Sequence, residues 1–312
     1  MGKYLYIFLH IPKTGGSTFR KHIEKNFSEE ERLLIAYHEL RFNKKAPTKS
    51  DFTKAFKKDF SKLSPRRKEK IKIIYGHEIP YGVHEFFQKP SRYIIFVRNP
   101  LKRALSLYNF FRTRYERETT SGRKRRHYKY QLLVGGKIPN FEKWLDTKFG
   151  ISGSGVETTQ QHLKSLGYLK GLKTKNVKRM FEKFYFVGIT QNLDRDMNYL
   201  FDEMSINRFF VRQNVSTKYV KKPSMKELKI IKEKTEISSY IFEEAKKQRK
   251  NFINEHSEYF KKTKITAIKR ILILPFTQVI FDFKGTLISI SDFIKRNSKL
   301  YAKYWPILRS KI

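Results

Sequence analysis

A short turn near the start of the chain combines the residue types that bind phosphate or sulfate. Residues 12–18 read PKTGGST and lie between an apolar run and an amphipathic helical pattern. Paired glycines let the backbone bend so that several N–H groups converge, and a helix N-terminus adds unpaired N–H groups with a partial positive charge. The residues that we predict to bind an anion at this turn are Lys13, Thr14, Gly15, Gly16, Ser17 and Thr18.

A second candidate anion site follows a later apolar run at residues 93–97. Arg98 stands where that run ends, and Ser106 lies two turns into the helix expected after Pro100. The guanidinium fork of arginine donates two parallel hydrogen bonds to a phosphate. Arg103 of the same helix either pairs with an acidic neighbour or faces the ligand.

The two sites are expected to lie at the same edge of one sheet. Short apolar runs of strand length occupy residues 4–10, 71–75, 93–97 and 184–189. Helical patterns occupy residues 17–26, 192–204 and 225–252, the last with a break near 238–239, besides the helix after Pro100. Strands that alternate with helices predict an α/β fold with a mainly parallel sheet flanked by helices. Ligands gather at the carboxyl ends of parallel strands, so the sequence predicts one ligand with two anionic groups.

Two polar segments show neither a strand pattern nor a helix pattern. Residues 41–70 are rich in lysine and interrupted by Pro47 and Pro65, which favours a surface excursion. Residues 112–130 are strongly basic and contain Ser121 and Gly122, which favours a mobile loop able to line a groove for an anionic substrate.

Composition limits the chemistry further. The 312 residues include 68 Lys+Arg against 29 Asp+Glu, a formal net charge of +39, and no cysteine. The absence of cysteine excludes disulfides, Cys-ligated zinc or iron–sulfur sites and a thiol nucleophile. The charge predicts an anionic partner without choosing among nucleic acid, glycan, phosphate-rich ligand and membrane surface.

The two motifs, taken in order, resemble those of the sulfotransferases. Within that family the similarity is to the carbohydrate group, which includes the heparan sulfate 2-O-sulfotransferases and bacterial relatives. Residues 98–108 match the family pattern RxPxxRxxSxY in full, and residues 10–18 match HxPKTGGTT except that Ser17 replaces a threonine. Shorter similar stretches lie at residues 76–85 and 186–190, and the resemblance extends over about residues 4–255. It implies a P-loop-like sulfotransferase fold.

The resemblance also implies a reaction. The family's donor is 3′-phosphoadenosine 5′-phosphosulfate, with residues 13–18 at the 5′-phosphosulfate and Arg98 and Ser106 at the 3′-phosphate. Lys13 acts catalytically by stabilising charge on the leaving oxygen, and the acceptor is a hydroxyl of a carbohydrate. We expect no metal, because sulfuryl transfer from this donor does not need one.

The base that deprotonates the acceptor is less clearly marked. His77 is the first candidate, since it follows a predicted strand at the same sheet edge. Relatives of the 2-O-sulfotransferase group carry His-Gly-His there, whereas this chain has Tyr75, Gly76 and His77. Glu78 and His84 therefore stay as alternatives.

Two other functions fit parts of the pattern. A P-loop-like kinase of a small molecule would bind ATP and Mg²⁺, but Lys13 precedes the glycine pair, whereas the Walker A lysine follows its last glycine. A non-enzymatic polyanion-binding protein would leave the two ordered motifs unexplained, so we expect no nucleic-acid partner. The pattern says nothing of the oligomeric state.

The last part of the chain differs in character. We predict a catalytic domain at residues 1–260 and a basic, partly apolar extension at residues 261–312. Its most apolar run, residues 271–283, is interrupted by Pro275, Gln278 and Asp282, whereas a membrane span needs ~20 mostly apolar residues. The apolar run at residues 4–11 is too short for a secretory signal. We therefore expect a cytoplasmic protein whose extension either contacts an anionic membrane surface or packs on protein.

Overall fold

The structure is a computed structural model, and it describes only part of the chain. The described residues are 3–37, 39–40, 47–120, 133–147, 159–171, 173–208, 219–220 and 222–260, without the side chains of 118–120. Residues 1–252 form one compact unit, which contains every strand named below, and residues 253–312 form a second unit. The proposed extension at 261–312 lies outside the described residues, so its boundary and its membrane contact stay predictions.

A single five-stranded sheet forms the centre of the first unit. Its strands are β1 (Leu5–Leu9), β2 (Arg32–Ile35), β3 (Ile73–Gly76), β4 (Ser91–Val97) and β5 (Phe186–Ile189). Their order is β2-β3-β1-β4-β5, and every neighbouring pair is parallel. All five residues of the central strand β1 are buried, as expected for a strand covered on both faces. The predicted α/β fold with a parallel sheet is confirmed.

Helices connect and flank these strands. They are α1 (Gly16–Asn26), α2 (Lys49–Ser61), α3 (Pro65–Lys70), α4 (Pro100–Thr120), α5 (Phe141–Leu145), α6 (Thr159–Ser165), α7 (Thr174–Phe181), α8 (Leu193–Glu203), α9 (Met225–Lys234) and α10 (Glu236–Glu255). Single 3-10 turns occupy Val83–Phe86 and Thr190–Asn192. No helix among the described residues is both long enough and apolar enough to span a bilayer.

The strand order places the two predicted anion sites side by side. The chain leaves β1 toward β2 on one side of the sheet and leaves β4 toward β5 on the other. Neighbouring strands with diverging connections open a crevice at their carboxyl ends, where α/β proteins bind ligands. The turn after β1 and Arg98 after β4 flank this crevice.

Local sequence explains how α4 begins beside it. The side-chain oxygen of Asn99 accepts a hydrogen bond from the N–H of Lys102 at 3.2 Å, which caps the helix. Pro100 occupies the first helical position, where its missing N–H costs nothing. The strand end and the cap together fix where Arg98 stands.

The prediction for residues 41–70 was wrong where the structure describes them. Residues 49–61 and 65–70 are helical, and Thr48 and Asp51 form a reciprocal capping box at the start of α2. Phe52 and Phe56 lie four apart on this helix and are fully buried in the core. Because lysines are frequent in this segment, this apolar stripe was not recognised from the sequence.

The prediction of a mobile loop at residues 112–130 was wrong in its first half. α4 continues without interruption to Thr120, since no glycine or proline intervenes, while residues 121–130 lie outside the described part. The long helical pattern at 225–252 does break, but at Thr235, so that Ser238 is a buried residue of α10. The short edge strand β2 was not predicted.

Candidate anion-binding and active site

The turn between β1 and α1 has a backbone suited to an anion. Lys13 and Gly15 have φ angles of 69° and 89°. The left-handed conformation is strained for a lysine, and such strain is concentrated at functional sites. Backbones in which left-handed residues alternate with right-handed ones can turn successive N–H groups toward one side, the arrangement of an anion nest.

Every carbonyl oxygen of the turn from His10 to Gly15 accepts a hydrogen bond. The donor to each is, in chain order, His77 Nδ1 at 2.6 Å, Thr14 Oγ1 at 2.8 Å, Arg103 Nε at 3.1 Å, Arg98 Nη1 at 2.9 Å, Thr190 Oγ1 at 3.1 Å and Thr18 N at 3.1 Å. The acceptors of the turn are therefore occupied by the protein itself.

The backbone N–H groups of the turn, in contrast to its carbonyls, are largely unoccupied in the described part of the chain. Among the described residues, no hydrogen bond is donated by the backbone N–H groups of residues 13–17. Buried backbone groups are nearly always paired in folded proteins, so a run of unused donors needs a ligand or water. A turn with occupied acceptors and available donors is therefore a candidate site for an anion.

Cations surround the same turn. Burial lowers the pKa of the Lys13 ammonium to about 8, and the nearby positive charges of Arg98, Arg114 and Arg103 act in the same direction. Burial also lowers the pKa of Arg98. No carboxylate in the described part of the chain contributes to either pKa, so Lys13 and Arg98 have no counter-ion there. Positive charges that repel one another in a partly buried site would be stabilised by a bound anion.

One face of α4 lies against the turn. Arg103 reaches the Pro12 carbonyl, and the Phe110 ring lies beneath Lys13, whose Nζ is 4.0 Å from the ring centroid. Residues three and seven positions after Arg103 share its helix face. Ser106 is therefore on the stripe between two residues that contact the turn, and its role at a ligand stays a prediction.

His10 and His77 stack beside the turn, with ring centroids 4.1 Å apart. Burial lowers the pKa of His10 well below its usual range, and the neighbouring His77 adds to this. The Cβ of any residue other than glycine at position 16 would overlap the His10 ring. His10 is therefore an uncharged ring that packs beneath Gly16 of the turn. This indicates a packing role rather than a role on substrate.

The hydrogen bond of His77 defines its tautomer. A carbonyl oxygen only accepts, so the contact of Nδ1 with His10 O requires the proton on Nδ1. In the neutral ring Nε2 then carries the lone pair. This is the arrangement that a general base needs.

The two alternative bases lie in different surroundings. Glu78 is only 2% exposed. His84 Nδ1 lies 2.8 Å from the hydroxyl of Tyr93, in the amino-terminal half of β4, within a cluster that includes Tyr81. His77 is bound directly to the anion-binding turn through the His10 carbonyl, whereas His84 is bound to a strand residue remote from the carboxyl end of β4.

Several residues that shape the site were not assigned from the sequence. The backbone contact of Arg103, the Phe110 ring under Lys13 and the Thr190 hydroxyl all depend on long-range packing. Of these three residues, only Thr190 could have been noticed from the sequence outside the two motifs, because it is the last residue of the 186–190 stretch that resembles the family. Among the described residues no group of three or more His, Cys, Asp or Glu could hold a metal ion.

Comparison with known proteins identifies the family. The model of the sulfotransferase family matches residues 2–274. The chain is also similar to a solved sulfotransferase from Alicyclobacillus acidocaldarius, with 11% identity over 77% of this chain and 95% of that chain and a TM-score of 0.35. Among curated proteins none matches significantly. The narrower resemblance to carbohydrate and heparan sulfate enzymes stays a prediction. Since the family model spans most of the chain and includes both candidate anion-binding motifs, this protein belongs to the sulfotransferase family.

Proposed function

We propose that this sulfotransferase uses 3′-phosphoadenosine 5′-phosphosulfate as its donor and a hydroxyl of a carbohydrate as its acceptor. The observation that carries the proposal is the hydrogen-bonding state of the turn after β1. Its carbonyls from His10 to Gly15 are occupied, its N–H groups at residues 13–17 are available, and cations without a described counter-ion adjoin it. A ligand with several negative charges compensates this site, and the donor nucleotide has such charges at both ends.

The residues fit the two ends of the donor as the family motifs assign them. Lys13, Thr14, Gly15, Gly16, Ser17 and Thr18 would hold the 5′-phosphosulfate. Arg98 uses one of its five N–H donors on the Lys13 carbonyl, which leaves others for the 3′-phosphate. Ser106 supports the same phosphate from the stripe of α4 that faces the turn.

The chemistry follows from charge that develops during transfer. The donor supplies an activated sulfuryl group, whose bond to the phosphate oxygen breaks as a bond to the acceptor oxygen forms. Lys13 stabilises the negative charge that appears on the leaving oxygen, which lowers the barrier rather than only tightening binding. His77 accepts the acceptor's hydroxyl proton at Nε2 while Nδ1 stays bound to the His10 carbonyl.

A carbohydrate acceptor is supported by weaker observations. The net charge of +39 favours anionic or polyhydroxyl substrates. Arg112, Arg114 and Arg117 continue α4 beyond Phe110. Of these, Arg114 lies close enough to Lys13 to lower its pKa, whereas Arg112 pairs with Glu116. A glycan that already bears carboxylates or sulfates fits such a surface.

The donor is tested by calorimetry and thermal shift with 3′-phosphoadenosine 5′-phosphate, ATP with Mg²⁺, and heparin. We expect the first to bind and to raise the melting temperature, because a ligand that binds only the native state stabilises it. Lys13→Ala and Arg98→Ala should each weaken this binding at least about tenfold, the equivalent of one charge-assisted hydrogen bond. Lys102→Ala is the matched control, since Lys102 is exposed on α4.

Two results would contradict the donor assignment. One is tight binding of ATP with Mg²⁺ in place of the desulfonated donor product, which would favour a kinase. The other is binding of heparin alone, which would favour a polyanion-binding protein. Transfer of labelled sulfate to a panel of glycans, lipids and small molecules then identifies the acceptor, and labelling of lipids alone would exclude the carbohydrate proposal.

A further inference from the structure

The hydroxyl of Thr190 joins parts of the site that are distant in sequence. Thr190 follows β5, and its Oγ1 lies 3.1 Å from the Thr14 carbonyl and 3.2 Å from the Val97 carbonyl. Thr14 belongs to the turn after β1, and Val97 is the last residue of β4, directly before Arg98. A hydroxyl has one proton to donate, so the two carbonyl oxygens share it, and one side chain connects the carboxyl ends of β1, β4 and β5.

We propose that Thr190 is a positioning residue of the donor site, which holds the Thr14–Gly15 peptide so that the Gly15 N–H faces the anion. This inference rests on the proposed donor. A trans peptide is planar, so its C=O and N–H point in opposite directions. Holding the Thr14 carbonyl toward β4 and β5 fixes the Gly15 N–H on the opposite side.

This peptide needs such a restraint more than most. Gly15 has a φ of 89°, and glycine adopts positive and negative φ with similar ease. The Thr14–Gly15 peptide can therefore rotate at low steric cost, which would present a carbonyl oxygen instead of an N–H to the anion. The two preceding peptides are restrained by arginines, through Arg103 at Pro12 and Arg98 at Lys13, whereas Thr190 is the side chain seen to restrain this one.

Thr190 is itself held in place by a hydrogen bond to the residue before it. The Asp196 carboxylate accepts the N–H of Ile189, the residue before Thr190, at 3.3 Å. Arg249 of α10 donates from Nε to both oxygens of Asp196, at 2.9 and 2.8 Å. Asp196 is fully buried, so this support is shielded from water.

The test compares Thr190→Val, which keeps the shape and removes the donor, with Thr190→Ser, which keeps the donor. Two nucleotides are titrated by calorimetry: 3′-phosphoadenosine 5′-phosphate and adenosine 3′-phosphate, which lacks the 5′-phosphate. Thr190→Val should bind the first about tenfold more weakly, the loss of roughly one hydrogen bond to a charged group, and the second within about twofold of wild type. Thr190→Ser should restore the affinity for both.

A second measurement needs no nucleotide. Within the segment 10–18, hydrogen–deuterium exchange of the Thr18 amide, which donates to the Gly15 carbonyl next to the restrained peptide, should be faster in Thr190→Val than in wild type, because the released peptide moves that acceptor more often. Thr235→Val is the matched control, since the Thr235 hydroxyl also donates to a backbone carbonyl, that of Ile231, but outside the site. It should change neither nucleotide affinity nor exchange in this segment.

The outcomes separate the two proposals. Unchanged binding and exchange in Thr190→Val, or equal loss of both nucleotides, would overturn the positioning role. If wild type binds neither nucleotide, the donor assignment is wrong, and the exchange comparison still decides whether Thr190 holds the turn. Should Thr190→Val fail to fold, Thr190→Ala takes its place with the same expectations.

Discussion

At the scale of single residues, the site is defined by charges that the described residues do not neutralise. Lys13 is strained at φ 69°, partly buried and close to three arginines. Each of these features raises the free energy of the unliganded protein. A bound polyanion relieves the electrostatic part, so the same features that destabilise the empty site increase its affinity for an anion.

The titration of Lys13 predicts the pH dependence of nucleotide binding. Its pKa in the folded protein is lowered to about 8, so the charged form is disfavoured there. A bound anion favours the charged form and raises the pKa, so binding takes up a proton above pH 8. We expect the dissociation constant of 3′-phosphoadenosine 5′-phosphate to increase with pH from 8 to 10, by up to about tenfold per unit. Calorimetry at four pH values measures this.

Variants isolate the contribution of Lys13. Lys13→Gln should bind weakly at every pH and lose the pH dependence, whereas Lys102→Gln, which changes an exposed lysine of α4, should keep it. A pH dependence that persists in Lys13→Gln would show that another group is responsible.

The proposed base can be tested while its hydrogen bond to the turn is kept. In His77→Asn the side-chain amide can still donate to the His10 carbonyl, but the Nε2 base is removed. The rate of sulfuryl transfer should fall by about 10²–10⁴-fold, with donor-product affinity nearly unchanged. His84→Asn is the control. Full activity in His77→Asn would transfer the role to Glu78 or His84.

At the scale of elements, the site depends on close packing of strand ends against helix starts. Gly16 opens α1 directly over the buried His10 ring, which in turn stacks on His77 after β3. α4 begins at the Asn99 cap and presents Arg103, Ser106 and Phe110 along one face. Each element thus contributes one or two contacts, and the crevice between β1 and β4 brings them together.

Gly16 provides a test of this packing. In Gly16→Ala the added Cβ overlaps the His10 ring, which is buried and restrained by its stack. We expect the free energy of unfolding in urea to fall by about 1–3 kcal/mol. Ser17→Ala, one residue on, adds no atoms and should change it by less than about 0.5 kcal/mol. An unfolding midpoint for Gly16→Ala equal to that of wild type would contradict the tight packing.

At the scale of the whole molecule, α10 supports a site that lies far from it in sequence. Arg249 and Asp196 are 9% and 1% exposed at their side chains and form a bidentate ion pair. Asp196 also accepts the Ile189 N–H at the end of β5. Through this pair the last described long helix fixes the corner that carries Thr190.

Breaking the pair should be costly. Arg249→Met leaves the buried Asp196 carboxylate without its partner, and we expect a loss of about 3–5 kcal/mol in the free energy of unfolding. Lys246→Met, which removes an exposed ion pair with Glu243 on the same helix, should cost less than about 1 kcal/mol. Equal effects of both variants on urea denaturation would refute the role given to the buried pair.

The pH dependence of Arg249→Met follows from the same burial. Burial already raises the pKa of Asp196 in the wild type. Without Arg249 that pKa rises further, so the folded variant takes up a proton more readily than the unfolded chain. The stability deficit should therefore be largest at neutral pH and smaller as the pH falls.

The features that the sequence by itself determined are local ones. The turn at residues 12–18, the motif at 98–108, four of the strands and the helices after three of them follow from apolar runs, glycine pairs and caps, because these depend on neighbours in the chain. The family followed from the order of the two motifs. α2 and the helical half of residues 112–130 were missed, since dense lysines and arginines conceal a narrow apolar stripe.

Only the tertiary structure decided how the turn is held. The donors to its carbonyls at Pro12, Lys13 and Thr14 come from residues 91, 85 and 176 positions away in sequence. Such contacts depend on the order of strands in the sheet, with β5 beside β4, and on the packing of α4 against the turn. No local periodicity encodes that order, so the orientation of the N–H groups of the turn is set only once the whole sheet has formed.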